Sequence, residues 1–551
     1  AALLRAVVAE SIEKLRAFAP QNLANLIWAF ATLVVDDPLF CGAVAGAASL
    51  RLKEFVPQDL SNLAWAYAKL SGGDAKLFAA FGEESLSKLK AFTPQGLSNL
   101  VWAYAAMGIE HAELFLASAK EAEAKLREYS PQDLSNLLWA FAALSVEDHG
   151  AAAADGKEGF FRALIREATK KLGIATPQGL ANLAWACAVL ELHDEAFSQA
   201  AAGVLAVQLR SILDPDGVPA VASPELALQA LTVVWALHFA ALPGQDAAKV
   251  ASRAAFGCLG RALDVRSHVA ALHSALAEAG STSAAPGVVL DLPDRFVVEK
   301  PAGWEVDVAE EASSGLPLSA HLRAFLPCRR HALTGDVAHR RGLLHRLDVP
   351  GSGLVAVAKT YEAYYDMQLQ LHTGELVRDY IVLCHGWVPP SCREVSARVH
   401  WIDGDLAPSS VRQQGKPSQT RLKVLAHALR RGQRLSLVAM RLCTGRRHQI
   451  RVHAAHIGHP TVCDGKYGAA HLREDLPWCP RNFLHRHRLA FRDAAGCPRQ
   501  ALAGLPEDLM AALGCLFPCP EGRGRGRRSA AALGRWLRGT GPCDWEKYEV
   551  L

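Results

Sequence analysis

A twelve-residue pattern that returns five times constrains this chain more than any other feature. "PQNLANLIWAFA" begins at Pro20, "PQDLSNLAWAYA" at Pro57, "PQGLSNLVWAYA" at Pro94, "PQDLSNLLWAFA" at Pro131 and "PQGLANLAWACA" at Pro177. The starts are spaced by 37, 37, 37 and 46 residues. A fixed period of that length means stacked units, because one unit alone cannot bury its apolar face. Each block opens on a proline, which suits the first position of a helix. A second amphipathic stretch follows, such as "LFAAFGEESLSKLKAF" from Leu77. The pattern predicts an α-solenoid of helical hairpins over residues 1–276. The longer spacing holds "GAAAADGKEG" from Gly150, which reads as a loop, and a degenerate sixth unit is expected around Trp235. The opening "LLRAVVAESIEKLRAF" reads as the second helix of a unit, so repeats are expected to precede Ala1.

Helical angles separate two stripes on the first helix of each unit. Leu23, Leu26 and Phe30 share one, an ordinary core face. Gln21, Asn25 and Trp28 share another. The Asn returns as Asn62, Asn99, Asn136 and Asn182, and the Trp as Trp65, Trp102, Trp139 and Trp185. Two readings stand. In one, stacked first helices sandwich these residues, with Asn bonding between units and Trp filling the seam. In the other, they line a groove for single-stranded RNA by hydrogen bonding and stacking. Identical residues in every unit favour packing over sequence readout. The array resembles the octotricopeptide and heptatricopeptide repeat proteins over about residues 1–250. That resemblance implies an association with RNA in a chloroplast or mitochondrion.

The two halves differ in charge. Residues 1–280 hold 22 Lys and Arg against 29 Asp and Glu, whereas residues 281–551 hold 37 against 26. A basic second half suits a polyanion; the acidic first half keeps a protein partner on the repeats open as an alternative to RNA. The most apolar run, Leu226–Leu242, is interrupted by Gln229, Thr232 and His238, so no membrane span is expected. Thirteen cysteines include no CxxC, which argues against a disulfide framework or a zinc site, and for a reducing compartment.

"AEAGSTSAAPG", residues 277–287, is small, polar and Pro/Gly-bearing, and reads as a linker. Beyond it short β-type runs such as "RFVVEKPAGWEVDV" and "RDYIVLCHGWV" mix with helical stretches. They predict an α+β domain at 288–515. Residues 516–551 carry "EGRGRGRRSAAALGRWLRG", expected as a basic, solvated tail with a capacity to touch phosphate.

Four blocks of the second half belong together: "VVEKPAGWEV" from Val297, "HRLDVPGSGLVAVAKT" from His345, "VRDYIVLCHG" from Val377 and "TGRRHQIRVHAAHIGHPTVCDGKYG" from Thr444. An isolated "HRLD" would read as a surface ion pair. In this order and spacing the blocks resemble the RluA-type pseudouridine synthases. The resemblance implies a pseudouridine synthase fold with a mainly antiparallel mixed sheet, and an RNA substrate whose uridine is isomerised without cofactor or metal. Histidine pairs such as His448/His453 also lack a third ligand. Asp348 matches the essential aspartate, which acts either as nucleophile at the sugar or as base. Arg451 matches its basic partner, and Tyr380 the tyrosine that stacks on the base. Arg346 matches the arginine that enters the space of the everted nucleotide. Arg446, Arg447, His448 and Gln449 are expected as RNA or loop-positioning contacts, and Lys300 and Pro301 as support beside the site. The sequence departs from the family at Gly351, Arg378, Arg447 and Cys463, where threonine, lysine, threonine and glycine are usual. Arg447 and Gly351 support the alternative, a non-catalytic RNA-binding or ribosome-assembly factor.

Overall fold

The computed structural model describes residues 2–70, 75–146, 159–210, 224–270, 285–306, 316–326, 328, 330–401, 407–519, 523–539 and 541–551. Contacts divide the chain into two units, one holding the repeats to Ala251 and one beginning at Ser252.

The first unit is all helical, as expected. Pro20–Thr32, Pro57–Leu70, Pro94–Ala106, Pro131–Ala143 and Pro177–Val189 are the first helices, and each packs on the next. Pro224–Phe239, which holds Trp235, takes the sixth place in that row. Ala2–Lys14, Pro38–Ser49, Ala75–Lys88, Ala112–Lys125 and Phe160–Lys170 form the second layer. Helix starts follow from sequence: proline sits in the first turn, and Thr93, Ser130 and Thr176 accept the backbone N–H of Gly96, Asp133 and Gly179. The loop expected near Gly150 falls mostly outside the described residues.

The Trp rings of neighbouring units lie beside one another on a partly exposed face, with Trp28 45% exposed. Ring centroids lie 6.4 Å apart for Trp28–Trp65, 6.2 Å for Trp102–Trp139 and 6.2 Å for Trp139–Trp185. Lys69 Nζ spans the remaining interval, 5.7 Å from Trp65 and 5.5 Å from Trp102. The Asn residues behave differently from the packing expectation. Asn136 and Asn182 accept from Gln132 and Gln178 one turn earlier in their own helices, at 2.9 and 2.8 Å. Bonds between neighbouring first helices run instead from Gln229 to Gln178 and from Ser98 to Asp133. Another periodic tie is legible only in three dimensions. Arg51, Lys88, Lys125 and Lys171 keep the spacing of the repeat, and each donates to backbone carbonyls of the preceding unit: Phe18, Phe55, Lys90 and Tyr129. These carbonyls end the short 3₁₀ turns and would otherwise lack donors.

The second unit is built on one mixed sheet whose strands are numbered here in chain order. They are β1 (Gly287–Asp291), β2 (Arg295–Lys300), β3 (Ser352–Ala358), β4 (Val377–His385), β5 (Glu394–Ser396), β6 (Gln419–Arg430), β7 (Gln433–Leu442), β8 (Leu484–Arg492), β9 (Pro498–Leu502) and β10 (Phe517–Pro518). The order is β1-β2-β3-β8-β4-β7-β6-β10, with β9 beside β8 and β5 beside β6. Only β3 and β8 run parallel, matching the expected mainly antiparallel sheet. Both faces of β4 are buried. Ile381 and Leu383 enter one apolar cluster, with Leu509, Leu533 and Trp536. Tyr380 and Val382 enter the other, with Leu347, Ile450 and Leu484.

Two boundaries differ from the sequence expectation. The division falls at Ser252, inside the helix Gln245–Ala270, rather than at 277–287, a stretch that lies mostly outside the described residues. Phe256 is buried with its ring 5.7 Å from that of Tyr365. Asp264 accepts from the backbone N–H of Tyr361 and Glu362 at 2.8 and 3.2 Å, capping the helix Tyr361–His372. Gly260 lies so close to Glu362 that a Cβ would stand 2.3 Å from its Cα. Amphipathic spacing cannot tell which partner a helix packs on. A fragment starting at residue 288 is therefore expected to be less stable than one starting at 252, by at least about 3 kcal/mol from a lost cap and a lost buried Phe. Urea unfolding of the two fragments measures it, and equal midpoints would contradict the assignment. Residues 516–551 are likewise no solvated tail. The helix Arg523–Leu537 packs on β6, and Trp545 and Tyr548 are buried in the core. "SAAALGRW" supplies the apolar stripe that its arginine-rich surroundings obscure.

Candidate active site

Asp348 stands on a short turn before β3. The turn closes with Gly351 N–H on the Asp348 carbonyl at 3.0 Å. The turn thus forms with glycine in the place of the usual threonine; a Cβ there would stand 3.2 Å from Leu484 Cδ2, 3.3 Å from the Asp348 carbonyl and 3.5 Å from Leu347 Cδ1. Two basic side chains, the buried Lys300 and the half-buried Arg481, brace this loop. Lys300 Nζ donates to the carbonyls of Pro301 and Trp304, both at 2.9 Å, and of Val349 at 3.4 Å. Burial, and then the Arg481 charge, pull the Lys300 ammonium down to about 7. Arg481 donates to the Pro350 carbonyl and to Ser352 Oγ, both at 3.1 Å. Gly353, at φ 118°, lets β3 approach β8 so closely that a Cβ would stand 2.2 Å from the Arg486 carbonyl.

The helix Gln449–His456 brings Arg451 to Asp348. Arg451 Nη1 donates to Asp348 Oδ2 at 3.0 Å. The same guanidinium grips Asp464 with two bonds of 2.7 Å. Burial works against the Arg451 charge, but the hydrogen bonds and charges of Asp464 and Asp348 outweigh it and raise its pKa. Asp464 is pushed up by burial and down, with the larger net effect, by Arg451 and by the N–H groups of Lys466 and Tyr467. One arginine thus serves two carboxylates: Asp464 is fully buried and bonded on both oxygens, while Asp348 keeps a side-chain exposure of 15%. Among the described residues Asp348 Oδ1 accepts no hydrogen bond; the His448 imidazole Nε2 lies 4.0 Å from it. His448 sits at φ 55°, its Nδ1 3.0 Å from the Tyr467 hydroxyl. Burial, against the attraction of Asp348, lowers the His448 pKa to about 4, so its imidazole is neutral at pH 7.

Tyr380 faces the same side from β4. Arg486, its pairing partner on β8, donates Nε to the Tyr380 hydroxyl at 2.7 Å. The rest of that guanidinium reaches His345 Nδ1 at 2.7 Å, the Leu354 carbonyl at 2.8 Å and the Arg346 carbonyl at 2.9 Å. Arg486 therefore ties Tyr380 to the segment that carries Asp348. Burial, then Arg486, hold the His345 pKa far below its usual value, so the imidazole stays neutral and accepts.

The expected contacts fall into two groups. The Arg346 side chain is exposed and makes no hydrogen bond or ion pair among the described residues, as a group that meets a ligand would. Gln449 is buried, and all four of its bonding places are used, with Thr444, the Arg446 N–H, the Gln419 carbonyl and Thr420. It positions the loop and has nothing left for RNA. Arg446 is half-buried and bonds the Pro417 carbonyl at 3.4 Å, with burial lowering its pKa to about 10. Arg447 is half-buried, and the Asp348–Arg451 pair forms with it in place. Cys463 has φ 56°, the conformation that explains the usual glycine there. Sequence reasoning missed Asp464, Arg481 and Arg486. Asp464 lay inside a quoted block, and the alternation "HRHR" at 485–488 was the available signal for Arg486. Among the described residues no three His, Cys, Asp or Glu could hold a metal ion, and no helix is long and apolar enough to cross a membrane.

Residues 294–456 match the family model described as RNA pseudouridylate synthase. Residues 33–237 match that of the Tbc2 translation factor, N-terminal domain. The ribosomal large subunit pseudouridine synthase C of Pasteurella multocida is 33% identical over 204 residues, which cover 36% of this chain and 57% of that protein. The ribosomal large subunit pseudouridine synthase D of Salmonella typhimurium is 35% identical over 188 residues, covering 33% and 52%. A solved structure of human RNA pseudouridylate synthase domain containing 1 is 27% identical, covers 49% of this chain and 100% of its own, and has a TM-score of 0.35. The chain thus spans a little more than half the length of the curated relatives it matches.

Proposed function

We propose that this chain, whose second unit carries a pseudouridine synthase domain of the RluA type, isomerises uridine to pseudouridine within RNA. The observation that carries the reading is the divided carboxylate of Asp348. Arg451 holds Oδ2, while Oδ1 faces a partly open site without a donor. An oxygen held in that way is oriented and still able to react. The reaction breaks the bond from C1′ to N1 of the base and forms one from C1′ to C5. The hydrogen lost from C5 is balanced by one gained at N1, so no oxidant or cofactor is required. Asp348 attacks C1′ or removes a sugar proton; both routes use the same free oxygen. Tyr380 offers its ring to the detached base, and Arg486 fixes the ring's height by holding the hydroxyl. Arg346 enters the stack that the everted nucleotide leaves. Arg447 and His448 meet the RNA beside the site, and Arg446 and Gln449 hold their loop. The intact Asp348–Arg451 pair favours an enzyme over a non-catalytic RNA-binding factor. The repeat array serves as the docking module for RNA or a protein partner, in a chloroplast or mitochondrion.

The test uses total RNA from cells lacking the gene. Incubation with the purified full chain, without added cofactor, is expected to convert at least one uridine, read by pseudouridine mapping. No converted site would overturn the reading.

A further inference from the structure

The helix Arg523–Leu537 is unexpected for its composition. Glycines at 524, 526 and 534 each weaken a helix by about 1 kcal/mol relative to alanine. The helix persists because its other face is locked in the core: Ala532, Leu533 and Trp536 are buried, and Ser529 Oγ accepts from the His427 N–H at 3.1 Å. Gly526 is needed there, since a Cβ would stand 2.9 Å from the Cys519 carbonyl. What the locked helix turns outward is basic. Arg525, Arg527 and Arg528 are exposed in its first turns. Arg535, farther along, is paired with Glu549 at 3.1 Å, and Arg528 also lowers the Glu549 pKa, after Arg535. That single carboxylate leaves the first turns strongly positive.

The same end of the helix adjoins a second basic element. Phe517 pairs with Leu429 and Ser529 bonds His427, so the first turns lie where β6 runs into its hairpin with β7. The hairpin tip holds Arg431 at φ 48° and Gly432 at φ 85°, and Arg431 and Arg434 are exposed. Arg434 is stacked on Trp387 with its guanidinium carbon 4.6 Å from the ring centre, which fixes its direction. The helix lies on the side of the sheet that buries Ile381 and Leu383, opposite the side of Tyr380, whereas Arg434, which alternates with the buried Leu435, stands at the sheet's end on the other side.

We infer that the first turns of the helix Arg523–Leu537, together with the β6–β7 hairpin tip, form a phosphate-backbone docking surface for the RNA substrate, remote from the reacting uridine. The inference rests on the proposed RNA substrate and adds its size: an RNA long or folded enough to reach both sides of the sheet. Arginines on a rigid helix meet phosphates without the ordering cost that a disordered arginine–glycine tail bears on binding.

The test is the full chain with Arg525→Gln, Arg527→Gln and Arg528→Gln combined. These side chains are exposed, so the melting temperature should match that of the unaltered chain. Binding to a long structured RNA, measured by filter retention across a salt series, needs no catalysis. It is expected to weaken about 10-fold or more at 0.1 M salt, with a log–log salt slope shallower by about 2 to 3. Affinity for a short single-stranded oligonucleotide should not change. An unchanged affinity and slope for the long RNA would overturn the inference. So would loss of binding to anionic phospholipid vesicles with RNA binding unaltered, which would make the surface a lipid contact. Absence of pseudouridine formation in the unaltered chain would instead sink the functional reading and leave this binding result standing.

Discussion

Asp348→Asn is expected to lower isomerisation by at least about 10³-fold while the chain stays folded. The asparagine is the same size, and its amide oxygen can still accept from Arg451 Nη1. It can neither attack C1′ as an anion nor take a proton. Arg451 keeps both of its bonds to Asp464, so no buried charge is left alone. Stability should change by no more than about 1 kcal/mol, the scale of a partly exposed pair. Single-turnover pseudouridine formation and a thermal melt read the two quantities together. Activity above a hundredth of the original rate would remove Asp348 from the chemistry.

Arg451→Met is expected to cost about 3–5 kcal/mol at pH 7, because it strands the fully buried Asp464 carboxylate. The sign of the pH dependence follows from Asp464. In the unaltered chain its folded pKa is depressed, so its contribution is present above the unfolded value of about 3.9 and is lost as pH falls through the lower folded value. Without Arg451, burial dominates and the folded pKa rises above the unfolded one. Asp464 then opposes folding at every pH above about 4, and the penalty fades as it protonates. Urea unfolding should therefore give a larger difference between the two chains at pH 7 than at pH 4, where the penalty in the variant has faded and the Asp464 contribution of the unaltered chain is still largely present. Equal differences at both pH values would contradict the shared-arginine arrangement. Adding Asp464→Asn to Arg451→Met should recover much of the loss at pH 7.

The candidate site residues could be picked out because they sit in contiguous blocks whose spacing survives in one dimension. Asp348, Tyr380 and Arg451 come from three such blocks, and the structure gathers Asp348 with Arg451 directly and with Tyr380 through Arg486. What holds them was less legible. Arg481 and Arg486 work through backbone carbonyls of other strands, and a carbonyl leaves no mark in sequence. Of the two roles expected for Gln449, RNA contact or loop positioning, the spacing could not choose; burial turns it inward to bond Gln419 and Thr420 and hold the loop.

By itself the sequence determined the periodic part of this protein. A repeat of 37 residues with proline at each start dictates helix after helix and the layering of like on like, because every unit meets only its neighbours. It also determined which carboxylate, tyrosine and arginine stand in the catalytic blocks. Tertiary structure alone decided where the units divide, since Phe256 and Asp264 belong to a helix continuous with the repeats yet pack on the helix Tyr361–His372. It alone decided that the arginine-rich C-terminal segment is a packed helix, and that Arg451 answers to two carboxylates rather than one. The physical reason is common to all three. Periodicity and motif spacing are properties of the local chain, whereas the partner that buries a face or neutralises a charge is set by contacts between residues far apart in it.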